Sequence, residues 1–256
     1  MTEALAATLQ KFNRKERYWV IKNALGEQGC GQGGEPAEPK LKLSPGFYCR
    51  LQEALGGSID VVDSDEVWWA VDYHLDWLFA ALKFHASAAD ERTSNRWTNE
   101  RPGGSEFREL EGQQEDIDLL VVAGRCVIFV EAKAYTGWDP EQLRRKIQRI
   151  ENLVQDEQGT IKPEYAGSLG LSLRFVFMSI DGPPASNGDK SWPEWACGSA
   201  GSPAWLRLAA HQPDLVLVPV RCNEVRKAYS KGEYWTVKTQ RAPQTQSKKS
   251  KAESPG

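Results

Sequence analysis

The chain has 256 residues and a mass of 28.6 kDa, a size that one α/β domain with embellishments can reach. Hydrophobic residues make up 40% and charged residues 26% of the sequence, which excludes collagenous, coiled-coil and wholly disordered proteins. The formal net charge is −3; residues 241–256, with one Arg, three Lys and one Glu, carry +3, which leaves −6 on residues 1–240. The body is therefore not expected to bind polyanions through its overall charge, although a local nucleic-acid or metal site is compatible with this balance.

The sequence has neither a membrane-targeting signal nor a cysteine cluster. No apolar run reaches about 18 residues and no basic segment opens the N-terminus, so we expect no membrane span, no signal peptide and a cytoplasmic location. The five cysteines form no CxxC pair and no short Cys/His cluster, which argues against a zinc site or a disulfide framework. We expect reduced thiols, with Cys126 and Cys222 in the core.

The first part of the chain is predicted to be mainly helical. Apolar residues recur at helical intervals over residues 2–25, which predicts one or two helices. Residues 26–40 are rich in Gly and Pro and are predicted to form a flexible loop. A short helix should follow, with Ser44 as its N-cap and Pro45 at its first position. Residues 65–86 carry a broad apolar stripe, which is typical of a buried helix that packs on a sheet.

The centre of the sheet is predicted to lie in the middle of the chain. A polar stretch at 90–112 is assigned to a loop or an edge strand. Two β-rich runs then follow, at 118–123 and 126–133, and the two residues between them, Gly124-Arg125, fit a hairpin turn. We therefore expect an antiparallel hairpin at the core of an α/β fold.

The remaining elements alternate in part between helix and strand. Asp139-Pro140 should begin a helix with an apolar face, and residues 173–179 and 214–220 are predicted to be buried strands. Residues 181–205 form a long loop whose three Trp are expected to cap the core. The sequence from about residue 239 is rich in Gln, Ser, Lys and Pro and should be disordered.

The predicted hairpin brings charged residues together at one edge of the sheet. Asp118 opens the first strand, and Glu131 and Lys133 lie two apart near the end of the second, so that their side chains share a face. Because the start of one hairpin strand neighbours the end of the next, Asp118 can lie beside Glu131. Charged groups are costly in such an apolar setting unless they are compensated. A divalent ion between the carboxylates would offset their repulsion, and Lys133 could activate water or stabilise a developing phosphorane charge.

These residues resemble the motif of the restriction-endonuclease-like, or PD-(D/E)XK, nuclease superfamily. The similarity consists of EDIDLL around Asp118, twelve intervening residues, and then Glu131-Ala132-Lys133, over roughly residues 105–180. The sequence departs from the pattern in having no Pro before Asp118. Glu115 and Asp116 are rivals for the first carboxylate, and period-2 geometry places Asp116, but not Glu115, on the side of Asp118.

The resemblance implies a mixed central sheet flanked by helices, an αβββαβ core, with a helical N-terminal extension. We divide the chain into a helical N-terminal region (1–104), a nuclease-like α/β core (105–238) and a disordered basic tail (239–256). The implied activity is Mg2+- or Mn2+-dependent hydrolysis of phosphodiester bonds, with DNA as the expected nucleic-acid partner. Asp118, Glu131 and the Ala132 carbonyl would bind the metal and Lys133 would assist the nucleophile.

The helix after Glu131 supplies further candidates on one flank. In several nuclease branches a Gln or a basic residue of this helix joins the active site, so the resemblance suggests Gln142 as an accessory catalytic residue. The Tyr that some branches place four residues later is Lys146 here. Arg145, Lys146 and Arg149 are predicted to contact nucleic acid, with a merely solvated flank as the alternative.

Several alternatives stay open at this point. The upstream carboxylate that often completes the superfamily's site has four candidates, Asp72, Asp76, Glu106 and Glu111, and the first two would share a helix face. The charged cluster could instead be a surface salt-bridge group, or the chain could be an inactive nuclease-fold module that binds nucleic acid or protein. A homodimer for two-strand cleavage and weak binding by the basic tail are likewise open.

Overall fold

The computed structural model describes the secondary structure of most of the chain. The described residues are 2–13, 15–27, 39–57, 67–87, 97–99, 108–112, 115–134, 137–156, 159–163, 165–166, 170–184, 191–198, 201–209 and 215–241. Most of the predicted Gly-rich loop, candidate Glu106 and residues 242–256 of the predicted tail lie outside these ranges.

Within the described residues the bounds of five helices and seven strands are complete, together with those of a 3-10 helix at Glu194–Ala196. The helices are α1 (Thr2–Phe12), α2 (Glu16–Leu25), α3 (Pro45–Ala54), α4 (Leu75–Ala86) and α5 (Pro140–Val154). The strands are β1 (Trp68–His74), β2 (Asp116–Ala123), β3 (Cys126–Lys133), β4 (Ser172–Ser179), β5 (Trp205–Arg207), β6 (Leu215–Cys222) and β7 (Tyr234–Arg241).

The core is a mixed five-stranded sheet in the order β1-β2-β3-β4-β5. Strands β1, β2 and β3 are antiparallel neighbours, whereas β3, β4 and β5 run parallel. The predicted α/β class with a mixed sheet is therefore confirmed. The β2–β3 hairpin is also confirmed: Ala123 pairs with Cys126, and Gly124 takes a φ of +59°, which glycine adopts without steric cost in a two-residue turn.

Helices and the Trp-rich loop pack against this sheet. The Tyr73 hydroxyl donates to the Leu9 carbonyl at 2.8 Å and ties β1 to α1, which packs on α4. Trp195 contacts Phe129 of β3 edge-on and donates its indole N–H to Glu151 of α5. Two of the three Trp predicted to cap the core, Trp192 and Trp195, are buried, whereas Trp205 belongs to strand β5 and not to the loop.

Local sequence signals were sufficient to predict where α3 and α5 begin. The Ser44 side chain accepts a hydrogen bond from the Phe47 N–H and Pro45 follows at the first helical position, as predicted. The Asp139 side chain accepts from two N–H groups of α5, and Pro140 is its first residue. Cys126 is buried in the core as predicted, whereas Cys222 is buried apart from the core cluster, and the cysteines among the described residues are free thiols. None of the described helices has the length and apolar composition needed to cross a bilayer.

The prediction of one helix over residues 65–86 is wrong in its first half. Trp68–His74 is a strand that pairs along its length with β2, and the helix begins only at Leu75. The segment WWAVDYH is rich in aromatic and β-branched residues, which favour a pleated, half-buried surface over a helix. The structured sheet therefore includes a strand from within residues 1–104, and Asp72 and Asp76 do not share a helix face.

The prediction of a buried strand at 214–220 is also wrong. Among the described residues, strand β6 forms a separate two-stranded sheet with β7, and Leu217 is 72% exposed. Pro219 has no N–H to donate, which confines it to strands with a free edge. Strand β7 also extends to Arg241, so the predicted tail begins three residues too early.

Candidate active site

The candidate site lies where β2 begins and β3 ends. Leu119 pairs with Val130 in the antiparallel register, and continuing that register by one residue sets Asp118 opposite Glu131. On the other side of β2, Asp116 pairs with His74 at the end of β1. The sheet thus gathers carboxylates from two strands at one edge, because antiparallel neighbours place the end of one strand beside the start of the next.

Asp118 is fixed by a backbone contact across the hairpin. Its Oδ2 accepts a hydrogen bond from the Ala132 N–H at 2.7 Å. Lys133, one residue further, is half-buried. Burial raises the pKa of Glu131, and the charge of Lys133 opposes that rise. The three predicted residues Asp118, Glu131 and Lys133 therefore lie together at the edge of the sheet.

Glu131 is buried and forms an ion pair with Lys146 of α5. The Lys146 ammonium lies 2.8 Å from the Glu131 carboxylate, and the side chains are only 4% and 7% exposed. The same ammonium donates to the Asp116 carbonyl at 2.7 Å. Helix α5 can hold Lys146 there because Leu143, Ile147 and Ile150 bury the helix against the sheet.

Burial raises the pKa of Glu131 above its ordinary value of 4.5. The charge of Asp118 raises the pKa further, while Lys146 and Lys133 oppose the shift. Desolvation is the largest of these causes, so the net shift is upward even though a cation is bonded to the carboxylate.

Asp116 has its own cationic neighbours. The Lys15 ammonium, from the junction between α1 and α2, bonds the Oδ2 atom of Asp116 at 2.6 Å. The His74 Nδ1 atom lies 2.9 Å from the Oδ1 atom, without the angles of a hydrogen bond. Neither contact was predicted from the sequence. Lys15 stands in the basic run NRKER, 101 residues from Asp116, and nothing local to that run indicates the pairing.

Arg149 is enclosed among carboxylates. Its side chain is 1% exposed, bonds Glu115 at 2.9 Å and forms an ion pair with Asp76 at the start of α4. Asp76 also accepts from the backbone N–H of Glu111 and Gly112. Of the upstream candidates, Asp76 therefore reaches the site as the partner of Arg149, whereas Asp72 bonds Arg17.

A cavity of about 580 Å³ opens beside these ion pairs. Gln142 and Arg145 contribute exposed side chains to its wall, whereas Lys146 and Arg149 contribute buried ones. The carboxylates of its lining make the cavity polar, and a cation or a phosphate group would find partners there. Its lining residues are Glu111, Glu115, Asp116, Glu131, Asp139, Glu141, Gln142, Arg145, Lys146 and Arg149.

The donor set has the right chemistry for a hard divalent cation. Asp118, Glu131 and the Ala132 carbonyl offer oxygen atoms, and Mg2+ commonly takes one or two carboxylates and completes its shell with water. Within the part of the chain that the structure describes, no group of three or more His, Cys, Asp or Glu side chains is arranged to hold a metal. The residues fit the ion in type, while one oxygen of Glu131 is engaged by Lys146 and one of Asp118 by the Ala132 N–H.

Comparisons of this chain with protein-family models, with curated proteins and with solved structures found no match.

Proposed function

We propose that this protein is a metal-dependent nuclease of the PD-(D/E)XK type that hydrolyses phosphodiester bonds, with DNA as substrate. The observation that carries the proposal is the position of Asp118 at the end of β3, where its carboxylate accepts from the Ala132 N–H beside Glu131, with Lys133 two residues further along the strand. Two carboxylates and an ammonium at the edge of a buried sheet are the groups that metal-assisted phosphodiester hydrolysis requires.

The order of elements adds support. Three antiparallel strands, then α5, then the parallel strand β4 agree with the part of the αβββαβ arrangement that follows its first helix. The chain differs from that arrangement at α4, which lies between β1 and β2. This inserted helix contributes to the proposed site, since its Asp76 forms an ion pair with Arg149 of α5.

In this proposal each residue has a distinct task. Asp118, Glu131 and the Ala132 carbonyl hold the Mg2+ or Mn2+ ion, which when bound would supply Lewis-acid polarisation and a more acidic water. Lys133 stabilises the charge that develops on the phosphate. Gln142 and Arg145, exposed along the cavity, orient the phosphodiester backbone. Lys146 and Arg149 are positioning residues here, because their charges are already bonded to carboxylates.

A second candidate function is an inactive nuclease-fold module that binds nucleic acid or a protein partner. The ion pair between Lys146 and Glu131 favours it, because a buried carboxylate that already has a cation needs no metal for its compensation. The two candidates differ in whether Glu131 exchanges this lysine for a divalent ion.

The deciding experiment is a calorimetric Mn2+ titration of the wild type, Glu131→Gln and the matched control Glu141→Gln. Glu141 lines the same cavity from an exposed position on α5. We expect binding by the wild type and the control and its loss in Glu131→Gln, followed by Mn2+-dependent cleavage of labelled DNA by the same two proteins. Equal binding by all three, or no binding, would favour the inactive module.

A further inference from the structure

Positive and negative charges are distributed unequally along the chain. The β6–β7 hairpin, residues 215–241, contains three Arg, three Lys and two Glu, a net charge of +4. Residues 242–256 add three Lys and one Glu, or +2, so that the overall −3 leaves −9 on residues 1–214. The hairpin is therefore a basic element attached to an acidic body.

Large apolar side chains are exposed on the same hairpin. Trp235 is 71% exposed, Tyr229 and Tyr234 are about half exposed, and Leu217 and Val237 are also open to solvent. Neither strand has more than slight contact with another described helix or strand. An exposed group of this kind marks an interaction surface, since soluble proteins otherwise keep large apolar patches small.

Aromatic and basic residues are concentrated towards the turn end of the hairpin, with the consecutive residues Tyr234 and Trp235 on opposite faces of β7. Trp235 pairs with Arg221 in the register, and the Arg221 guanidinium donates to the Gly232 carbonyl at 2.9 Å. The Tyr229 N–H donates to the Arg221 carbonyl at 2.9 Å, which folds the turn back against β6. We call the resulting group the tip cluster. Its members are Arg226, Lys227, Tyr229, Lys231, Tyr234 and Trp235.

The cations of the tip cluster are available for a ligand. Among the described residues, no ion pair engages Arg226, Lys227 or Lys231. By contrast, Lys146 and Arg149 in the cavity are each bonded to buried carboxylates. The hairpin therefore offers positive charge that no described carboxylate neutralises in an ion pair.

We propose that the tip cluster binds single-stranded nucleic acid, with bases stacked on its aromatic rings and phosphates bound by its cations. Single-strand binding surfaces combine these two features because every base has a π-face and every nucleotide a phosphate. A duplex hides its base faces in the helical stack, so exposed Trp and Tyr rings favour the unpaired strand. A symmetric dimer through the hairpin would oppose two +4 surfaces, which disfavours a second copy as the occupant.

The inference rests on the proposed function only for its link to cleavage: it names the kind of strand, unpaired rather than duplex, that the nuclease would take as substrate. Binding can be measured without metal, by fluorescence anisotropy of the full chain in EDTA. The probes are labelled dT and rU oligomers of about 16 nucleotides, near the upper end of single-strand site sizes, and a duplex of the same length. Comparison of dT with rU identifies DNA or RNA as the preferred strand.

Three variants test the aromatic and the cationic residues of the tip cluster separately. Trp235→Phe keeps an aromatic ring, whereas Trp235→Leu keeps only apolar bulk; we expect Trp235→Leu to weaken binding about tenfold and Trp235→Phe to lose much less. The double variant Lys227→Gln with Lys231→Gln should lower the slope of log K against log salt by about 1.4, since each single-strand phosphate contact contributes about 0.7. Far-ultraviolet circular dichroism checks that each variant is folded.

The proposal is overturned if the wild type does not bind the oligomers, if it prefers the duplex, or if Trp235→Leu binds like Trp235→Phe. None of these results affects Mn2+ binding at Glu131, which tests the nuclease proposal separately. Conversely, tip-cluster binding without Mn2+ binding would support the inference and favour the inactive nucleic-acid module over the enzyme.

Discussion

At the scale of single residues, the buried ammonium of Lys146 compensates the charge of Glu131. We predict that Lys146→Met lowers the free energy of unfolding by about 3 kcal/mol near pH 8, because it leaves Glu131 buried without its partner. Urea denaturation measures the change. Lys146→Met combined with Glu131→Gln is the control: removing the carboxylate charge should recover a large part of the loss. Equal losses in the single and double variants would contradict a role for the charge of Glu131.

The same residue makes the stability depend on pH. Burial raises the pKa of Glu131, so the folded state favours its protonated form, and its contribution to stability falls as pH rises from the ordinary value of 4.5 through the raised folded pKa. Lys146 opposes this shift in the wild type. We therefore predict that Lys146→Met loses more stability between pH 5 and pH 8 than the wild type does. Parallel pH profiles in urea denaturation would show that the lysine does not control this carboxyl.

A matched pair on α5 separates buried from exposed cations. Arg149→Met should destabilise the protein by about 3 kcal/mol, because Asp76 and Glu115 lose the guanidinium to which both are bonded. Arg145→Met, one turn earlier on an exposed position, should change stability by no more than about 0.5 kcal/mol. Urea midpoints of the two variants give the comparison. Similar midpoints would mean that the Arg149 ion pairs contribute little.

The residues of the site were predictable only where they share a hairpin. Asp118 and Glu131 could be set side by side because a two-residue turn fixes the register of both strands. The burial of Lys146 and Arg149 could not be predicted, since charges on one flank of a helix ordinarily face solvent. Their partners lie 15, 34 and 73 residues away, on elements whose positions depend on the whole fold.

At the scale of elements, the start of α5 sets the position of the cavity wall. Asp139 caps the helix by accepting hydrogen bonds from the Glu141 and Gln142 N–H groups. We predict that Asp139→Ala costs about 1 kcal/mol and speeds amide exchange in the first turn of α5, whereas Asp139→Ser, another N-cap residue, retains most of the stability. Unchanged exchange in Asp139→Ala would show that packing alone holds this end of the helix.

Helix ends with local caps were predicted well, while the partners of strands were not. Ser44 and Asp139 satisfy N–H groups in their own helices, so the neighbouring sequence contains the whole signal. The β1 segment was mistaken for a helix because its apolar spacing is compatible with both periods until it pairs with β2. The apolar run of β6 similarly cannot reveal whether a strand joins a central sheet or an exposed ribbon.

At the scale of the whole molecule, the hydrophobic core ends before the basic hairpin begins. Among the described residues, the buried cluster that unites the helices and the five-stranded sheet contains none after Leu206, and Cys222 is buried apart from it. We therefore predict that a chain ending at residue 209 folds cooperatively, with a thermal midpoint within a few degrees of the full chain. An isolated two-stranded hairpin is at best marginally stable, so removing it should lower the free energy of unfolding of the remaining chain only slightly.

The control for this truncation is Trp195→Ala in the full chain. Trp195 packs edge-on against Phe129 and Phe175 and lies in the buried cluster, so its loss should destabilise by about 3 kcal/mol or more. Calorimetry or circular dichroism during heating should then rank the truncated chain close to the wild type and Trp195→Ala well below both. The reverse order would show that the hairpin stabilises the acidic body directly. In that case its exposed aromatic side chains would have to be assigned to packing within the protein rather than to a nucleic-acid surface.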